Sequence, residues 1–240
     1  MRGAGPVVIA MAVVAATALV ACAPGYKVVR PGSGTFEVRV IPADPDRVYR
    51  ETLNMFLEAG VSISFASSRD RIVSTGYIYP DDLEALSLAV GFGSGSNMRT
   101  KYTLTAHPHP QGTALRCVIQ KEFKAGRGAY HRIPADWLDY DSLYTRLYMR
   151  LGSAMIGAGM GYKNDRGPPL EIRMIIPDTP AECAGLMVGD VVLEADGRPV
   201  NYMFELYEVL LGKGSGDSVK LTIQRAGKQF EVTVPVLACP

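Results

Sequence analysis

The chain has 240 residues, of which 48% are hydrophobic and 20% are charged, a balance typical of packed globular proteins and not of disordered ones. Its 25 Lys and Arg residues against 24 Asp and Glu residues give a formal net charge of +1 at pH 7. So small a charge excludes the basic excess on which non-specific nucleic-acid binding rests, and no nucleic-acid partner is expected. The length suffices for one or two domains.

Residues 1–21 have the parts of a secretory signal peptide. Arg2 is followed by an apolar run from Pro6 to Ala21, which is shorter than the roughly 20 residues that a membrane-spanning helix needs. The run ends in "LVAC", Leu19 to Cys22, which resembles the bacterial lipobox. The resemblance implies cleavage before Cys22, a lipid on its thiol, and outer-membrane anchoring on the periplasmic side. A plain signal peptide or a short anchor helix is the alternative.

Residues 22–34 are rich in Gly and Pro, which predicts a flexible tether. Residues 35–157 then alternate as strand, helix, several strands and helix, which predicts an α+β domain with a long helix on an antiparallel sheet. This order, over about residues 35–155, resembles the helix-grip-like domains of several outer-membrane lipoproteins. No motif accompanies the resemblance, so it implies little about function.

The first helix is predicted in "DPDRVYRETLNMFLEAG", with Asp44 as N-cap, Pro45 at the first helical position and Gly60 at the end. Its apolar residues are expected on one side of the helix. They are Val48, Leu53, Phe56 and Leu57.

Two strands, "KYTLTAH" and "TALRCVIQKEF", are predicted on either side of the turn "PHPQG", and Cys117 in the second is expected to be buried. His107 and His109 lie two residues apart, but no third ligand is evident, so no metal site is expected. Before these strands, residues 81–99 predict a short helix and a flexible glycine-rich loop. After them, residues 135–157 predict a long helix.

That helix carries a stripe of leucines at four-residue steps, Leu143, Leu147 and Leu151, which is expected to face the core. Beyond it the chain turns often. Gly185 ends a short helix, the strand "VVLEA" follows, and Asp196-Gly197 predicts a type I′ hairpin. After the helix "YMFELYEVLLG", the strands "SVKLTIQR" and "QFEVTVPV" are joined by Ala226-Gly227.

These features, above all "PDTPAECAGLMVGDVVLEADGRPV", resemble a PDZ domain of the bacterial type attached to periplasmic serine proteases. The resemblance covers about residues 158–237, within a predicted domain of residues 158–240, and implies a β-sandwich capped by two helices. PDZ domains bind peptide C-termini by adding a strand to a sheet edge. Protein or peptide C-termini in the cell envelope are therefore the expected partners.

The family's carboxylate-binding loop has the form apolar–Gly–apolar, and "GMGY" matches it. The resemblance implies that the amides of Met160, Gly161 and Tyr162 receive the carboxylate. Met203, Tyr207 and Leu210 fall at helical spacing and are predicted to line the groove, with core packing as the alternative. Only "KNDRGP" separates the loop from the next strand, so a structural PDZ domain without a ligand stays open.

No Ser, His and Asp residues are placed in the sequence to form a catalytic set, so the chain is not expected to be an enzyme, to use a cofactor or to act on a small-molecule substrate. Cys183 and Cys239 lie in the same domain, and their pairing is left open. The leading hypothesis is a lipid-anchored adaptor. Its alternatives are a structural lipoprotein of an envelope assembly and an accessory subunit that presents substrates to a protease.

Overall fold

A computed structural model describes residues 36–79, 97–162 and 167–237. These residues form two antiparallel sheets and four helices, which confirms the α+β class predicted from the sequence. The strands are β1 Phe36–Ile41, β2 Ile63–Ser67, β3 Ile72–Thr75, β4 Met98–His109, β5 Gly112–Lys124, β6 Tyr130–Ile133, β7 Ala158–Tyr162, β8 Leu170–Ile175, β9 Val191–Ala195, β10 Arg198–Pro199, β11 Ser218–Arg225 and β12 Lys228–Pro235. The helices are α1 Pro45–Glu58, α2 Trp137–Arg150, α3 Pro180–Cys183 and α4 Met203–Leu210.

The first sheet has the strand order β1-β5-β4-β3-β2. Strands β1 and β6 pair with the same edge of β5, β1 with its first half and β6 with its last residues. Helix α1 packs on β3, β4 and β5, and α2 lies beside α1. The turn between β4 and β5 is shorter than the predicted "PHPQG", because the two strands stay paired as far as His109 and Gly112. Cys117 is fully buried in this core, as predicted.

Helix α1 begins and ends where its sequence predicts. The Asp44 carboxylate accepts hydrogen bonds from the amides of Asp46 and Arg47, and Gly60 has a positive φ of 71° just past the helix. Val48 and Phe56 are fully buried. The prediction for Leu57 is wrong: its side chain is 54% exposed, because a residue next to Phe56 lies about 100° further around the helix.

Helix α2 is shorter than predicted. It starts after Asp136, whose carboxylate accepts from the amides of Leu138 and Asp139, and its last residue is Arg150. Gly152, with φ of 87°, turns the chain away from the helix, so the following residues are not helical. The leucine stripe of this helix is buried as expected. Its members are Leu143, Leu147 and Leu151.

The second sheet has the order β12-β11-β9-β8-β7, with β10 on β9. This sheet with α3 and α4 is called the second unit, and the first sheet with α1 and α2 the first unit. The hairpin turns predicted from the sequence are present: Asp196 and Gly197 have φ of 49° and 73°, and Ala226 and Gly227 have φ of 49° and 79°. Both residues of each pair are left-handed, as a type I′ turn requires.

The connection between the two units is hydrogen-bonded to the second one. Met155 and Leu237 exchange backbone hydrogen bonds of 3.0 and 2.7 Å, and Ala154 and Ile156 are buried in the second core. Gly157 makes a tight turn, with φ of 81°, and a Cβ atom there would lie 2.2 Å from the Thr179 side chain. The glycine is therefore required by the turn itself.

The two units also meet along helices α2 and α4. Phe204 of α4 is buried in the first core, where its ring lies 5.9 Å from that of Tyr144 and 3.8 Å from the Arg39 guanidinium carbon. Trp137 stacks on Tyr202 with 4.6 Å between ring centroids. Throughout the described ranges, each helix is too short or too polar to cross a membrane.

Candidate functional site

A cleft of about 640 Å³ lies where the two units meet. Its walls come from the end of α1, one face of α2, the strands β7 and β8, and helix α4. The lining residues are Met55, Glu58, Ala59, Asp141, Ser142, Thr145, Arg146, Met149, Arg150, Gly159, Met160, Met174, Met203 and Tyr207.

Strand β7 forms one wall and is the last strand of its sheet. Among the described residues it pairs only with β8, so its other side has no strand partner. Edge strands of this kind present unpaired backbone groups to which a further strand can add. Gly159 and Met160 of this strand line the cleft, opposite Met203 and Tyr207 of α4.

The residues of "GMGY" lie in β7, and their surroundings differ from one residue to the next. Met160 is half-buried at the cleft, whereas the Tyr162 side chain is buried. Gly161 lies under Arg173: a Cβ at this position would be 2.9 Å from the Arg173 Cγ, and the guanidinium of Arg173 donates to the Tyr162 carbonyl. The missing side chain of Gly161 therefore lets Arg173 lie across the strand.

Of the helix residues predicted to line the groove, two face the cleft. Met203 is 8% exposed, and Tyr207 is half-buried with a pKa raised by burial. Leu210 is 2% exposed and packs in the second core, and it is not among the cleft-lining residues of the described chain.

A buried carboxylate joins the three walls. Asp141 of α2 is fully buried and accepts a 2.9 Å hydrogen bond from the backbone amide of Phe204, in the first turn of α4. It also accepts a short hydrogen bond from the hydroxyl of Tyr162, which in turn accepts from the amide of Met203 at 3.2 Å. Two amides at the start of α4 are thus capped by residues of α2 and β7.

Burial raises the pKa of Asp141 to about 6, while the hydrogen bonds from Tyr162 and Phe204 oppose the rise. The same burial, together with the Asp141 carboxylate, raises the pKa of the Tyr162 hydroxyl. Sequence reasoning missed this role of Asp141. Its partners are 21 and 63 residues away, so no local pattern identifies them.

Cys22 and Cys239 lie outside the described residues, as does most of the segment 81–99. Cys183 is exposed and does not line the cleft. In the described ranges, no three His, Cys, Asp or Glu side chains are grouped so that they could hold a metal ion.

The titration of Asp141 predicts a specific pH dependence of stability. Between about pH 4 and about pH 6 the folded chain retains the Asp141 proton that the unfolded chain releases, so the free energy of unfolding falls as the pH rises. Asp141→Asn keeps an acceptor for the Phe204 amide but does not titrate. Urea unfolding of both proteins across this range should show wild type losing stability relative to the variant. A relative gain instead would mean that hydrogen bonds to the carboxylate outweigh its burial.

Comparison with known proteins identifies the second unit. The PDZ domain family, of the PDZ_2 type, matches residues 155–236. The magnetosome formation protease MamE of Paramagnetospirillum magneticum is 38% identical over 82 residues, which are 34% of this chain and 11% of that protein. A probable periplasmic serine endoprotease, DegP-like, of Pseudomonas savastanoi pv. phaseolicola is 35% identical over 69 residues, 29% of this chain and 14% of that protein.

A solved structure of the HtrA3 PDZ domain, bound to a phage-derived ligand (FGRWV), aligns with 37% of this chain and 88% of its own. The sequence identity is 18% and the TM-score 0.32. The peptide is a ligand of that PDZ domain, and the similarity between the two sequences is low.

The comparisons correct one expectation. The chain was expected not to be an enzyme, but the curated relatives are named proteases, so its similarity points to protease families. The chain spans only about a tenth to a seventh of the length of the first relatives, and only their PDZ regions match. Residues 155–236 thus form a PDZ domain related to those of DegP-like serine proteases, some of which are named as periplasmic.

Proposed function

We propose that this chain is an envelope protein whose PDZ domain binds the C-terminus or an extended segment of a partner protein. The observation that carries the proposal is the side of β7 that pairs with no strand in the described part of the chain and that faces α4 across the cleft. A peptide in this position would extend the second sheet by one strand through main-chain hydrogen bonds, while its side chains contact Met160, Met203 and Tyr207. Peptide binding by PDZ domains supports the same conclusion.

In this proposal the terminal carboxylate binds at the C-terminal end of β7, on the amides of Met160, Gly161 and Tyr162. Support comes from the apolar–Gly–apolar pattern and from the position of these residues in an edge strand. Charge-assisted hydrogen bonds of this kind contribute roughly 1.5–3 kcal/mol each. The carboxylate is then a large part of the binding free energy.

Gly161→Val should weaken peptide binding at least tenfold. The new side chain displaces Arg173, which lies 2.9 Å from the added Cβ and bonds the Tyr162 carbonyl, and it disturbs the backbone that holds the carboxylate. The measurement is titration of the mature chain with the tightest binders from a random hexapeptide library, as free acids and as C-terminal amides. Amidation should weaken binding of wild type by a comparable factor.

Gly214→Val is the matched control. Gly214 has no positive φ, its added Cβ meets only the Asp217 carboxylate at 4.0 Å, and it does not line the cleft. Binding by this variant should equal that of wild type, with melting temperatures measured for both. If folded Gly161→Val binds like wild type, or if acids and amides bind equally, this end of β7 does not hold the carboxylate and the structural alternative is preferred.

We also propose that the mature chain is a lipoprotein anchored through Cys22, with residues 22–34 as a tether and the folded domains in the periplasm. The sequence "LVAC" at the end of an apolar run supports the anchor, and the named periplasmic relatives support the compartment. The multiple acyl chains of a lipoprotein anchor stably, whereas a single chain binds only marginally. Ala23 supports sorting to the outer membrane.

When cells that express the chain are grown with an alkyne fatty acid, wild type should become labelled and Cys22→Ser should not, because the Cys22 thiol is the acceptor of lipid. Cys183→Ser serves as the control, since it removes an exposed thiol elsewhere, and it should label like wild type. Labelling of Cys22→Ser would rule out this anchor.

A second candidate is a role in proteolysis, in which the captured segment is delivered to a protease. The names of the relatives favour it, since their matching PDZ regions belong to proteases. The observation that distinguishes the two roles is the fate of the bound protein: an adaptor leaves its partner intact, whereas delivery shortens the partner's lifetime in the envelope.

A further inference from the structure

The cleft contains a cationic side chain that the PDZ domain does not supply. Arg146 lies on α2, in the first unit, and lines the cleft. Its Nη2 atom is buried and has no hydrogen-bond partner among the described residues, and no ion pair of Arg146 is found there. Ser142, one helical turn earlier on the same face, has a buried hydroxyl that is likewise unpartnered.

The other charged side chains around the cleft are already paired. The guanidinium of Arg150 binds Glu58 at 2.6 Å and Glu51 at 3.2 Å. The carboxylate of Asp141 accepts hydrogen bonds from the Tyr162 hydroxyl and the Phe204 amide. Of the two cationic side chains that line the cleft in the described part of the chain, Arg150 is thus ion-paired and Arg146 has no partner of opposite sign.

A half-buried guanidinium without a counter-ion is unfavourable, and burial accordingly lowers the pKa of Arg146. A bound anion would remove this cost. The planar guanidinium fits a carboxylate with two parallel hydrogen bonds, and the buried Ser142 hydroxyl offers a third donor one turn away.

The remaining lining is rich in methionine. Five of the chain's 10 methionines line the cleft, and Met149 and Met174 are 41% and 54% exposed. Methionine is unbranched and polarisable, so a surface of this kind adapts to apolar side chains of different shape. Exposed apolar side chains grouped around a cleft are typical of binding surfaces. The five residues are Met55, Met149, Met160, Met174 and Met203.

We infer that Arg146 binds a carboxylate of the peptide ligand while the methionines contact a neighbouring apolar side chain, so that α2 of the first unit completes the PDZ binding site. The inference rests on the proposed peptide binding. The carboxylate is either the peptide's C-terminus or an Asp or Glu side chain, because both have the same charge and geometry. The ligand is therefore an acidic, apolar peptide segment that contacts both units at once.

The test uses the mature chain and the tightest binder from the hexapeptide library, made in three forms: free acid, C-terminal amide, and with each Asp or Glu replaced by its amide. Arg146→Gln should weaken binding of the free acid about ten- to hundredfold, the expected loss of one charge-assisted interaction. Arg127→Gln removes the same charge from an exposed turn between β5 and β6 and should change binding less than twofold. Arg146→Lys, which keeps the charge but not the paired geometry, should fall between wild type and Arg146→Gln.

The three peptide forms identify the source of the carboxylate. In wild type, amidating the carboxylate that Arg146 binds weakens the affinity for the peptide. In Arg146→Gln the same amidation has no effect, which identifies that carboxylate. Because Arg146 has no hydrogen-bond or ion-pair partner within the described ranges, its variants should melt within a few degrees of wild type.

Three results would overturn the inference. If Arg146→Gln and Arg146→Lys bind the free acid as wild type does, Arg146 is not the anion site, although peptide binding stands. The same conclusion follows if both amidations weaken binding to Arg146→Gln as much as they weaken binding to wild type. If wild type binds no member of the library, the inference and the proposed peptide binding both fail.

Discussion

The arrangement of the two units depends on one buried carboxylate. Asp141 is fully buried between helix α2, strand β7 and the first turn of α4, where it accepts hydrogen bonds from Tyr162 and from the Phe204 amide. A buried charge is tolerated only when its lone pairs are satisfied, and here the carboxylate and its two partners come from three separate elements. Moving any of the three would leave a buried donor or acceptor unpaired, at a cost of about 1–3 kcal/mol per group.

This constraint explains why the cleft has walls from both units. Helix α4 is held at its N-terminus by Asp141 and Tyr162 and along its side by Phe204, which is buried in the first core. The helix that faces β7 across the groove is therefore fixed in part by the first unit. The same packing brings Arg146 and Met149, on the same helix as Asp141, to the rim of the groove.

Turns, helix caps and hairpin strands in both units were predictable because each is encoded within a few residues. Asp196-Gly197 and Ala226-Gly227 adopt the left-handed conformations that their hairpins need, and Asp44 caps α1. The apolar pattern was a less reliable guide where burial or a helix end depends on a neighbouring part of the chain. Leu57 is apolar but exposed, and α2 stops at Arg150 because Gly152 turns the chain.

The candidate site was predictable only in its PDZ half. The residues Met160, Met203 and Tyr207 follow from the family pattern and lie at one cleft. Asp141 and Arg146 belong to an amphipathic helix far away in sequence, where a buried acid and a polar-face arginine are indistinguishable from ordinary helix residues. Their roles arise from contacts between units, which neither periodicity nor spacing encodes.

A double-mutant cycle measures the link between the units most directly. Asp141→Ala and Tyr162→Phe each remove one side of the same hydrogen bond, and urea unfolding of the two single variants, the double variant and wild type gives their coupling. If the buried carboxylate joins the walls as described, the coupling energy is about 1 kcal/mol or more. Effects that add within about 0.3–0.5 kcal/mol would mean that Asp141 and Tyr162 act independently, and that the first unit does not hold the PDZ groove in place.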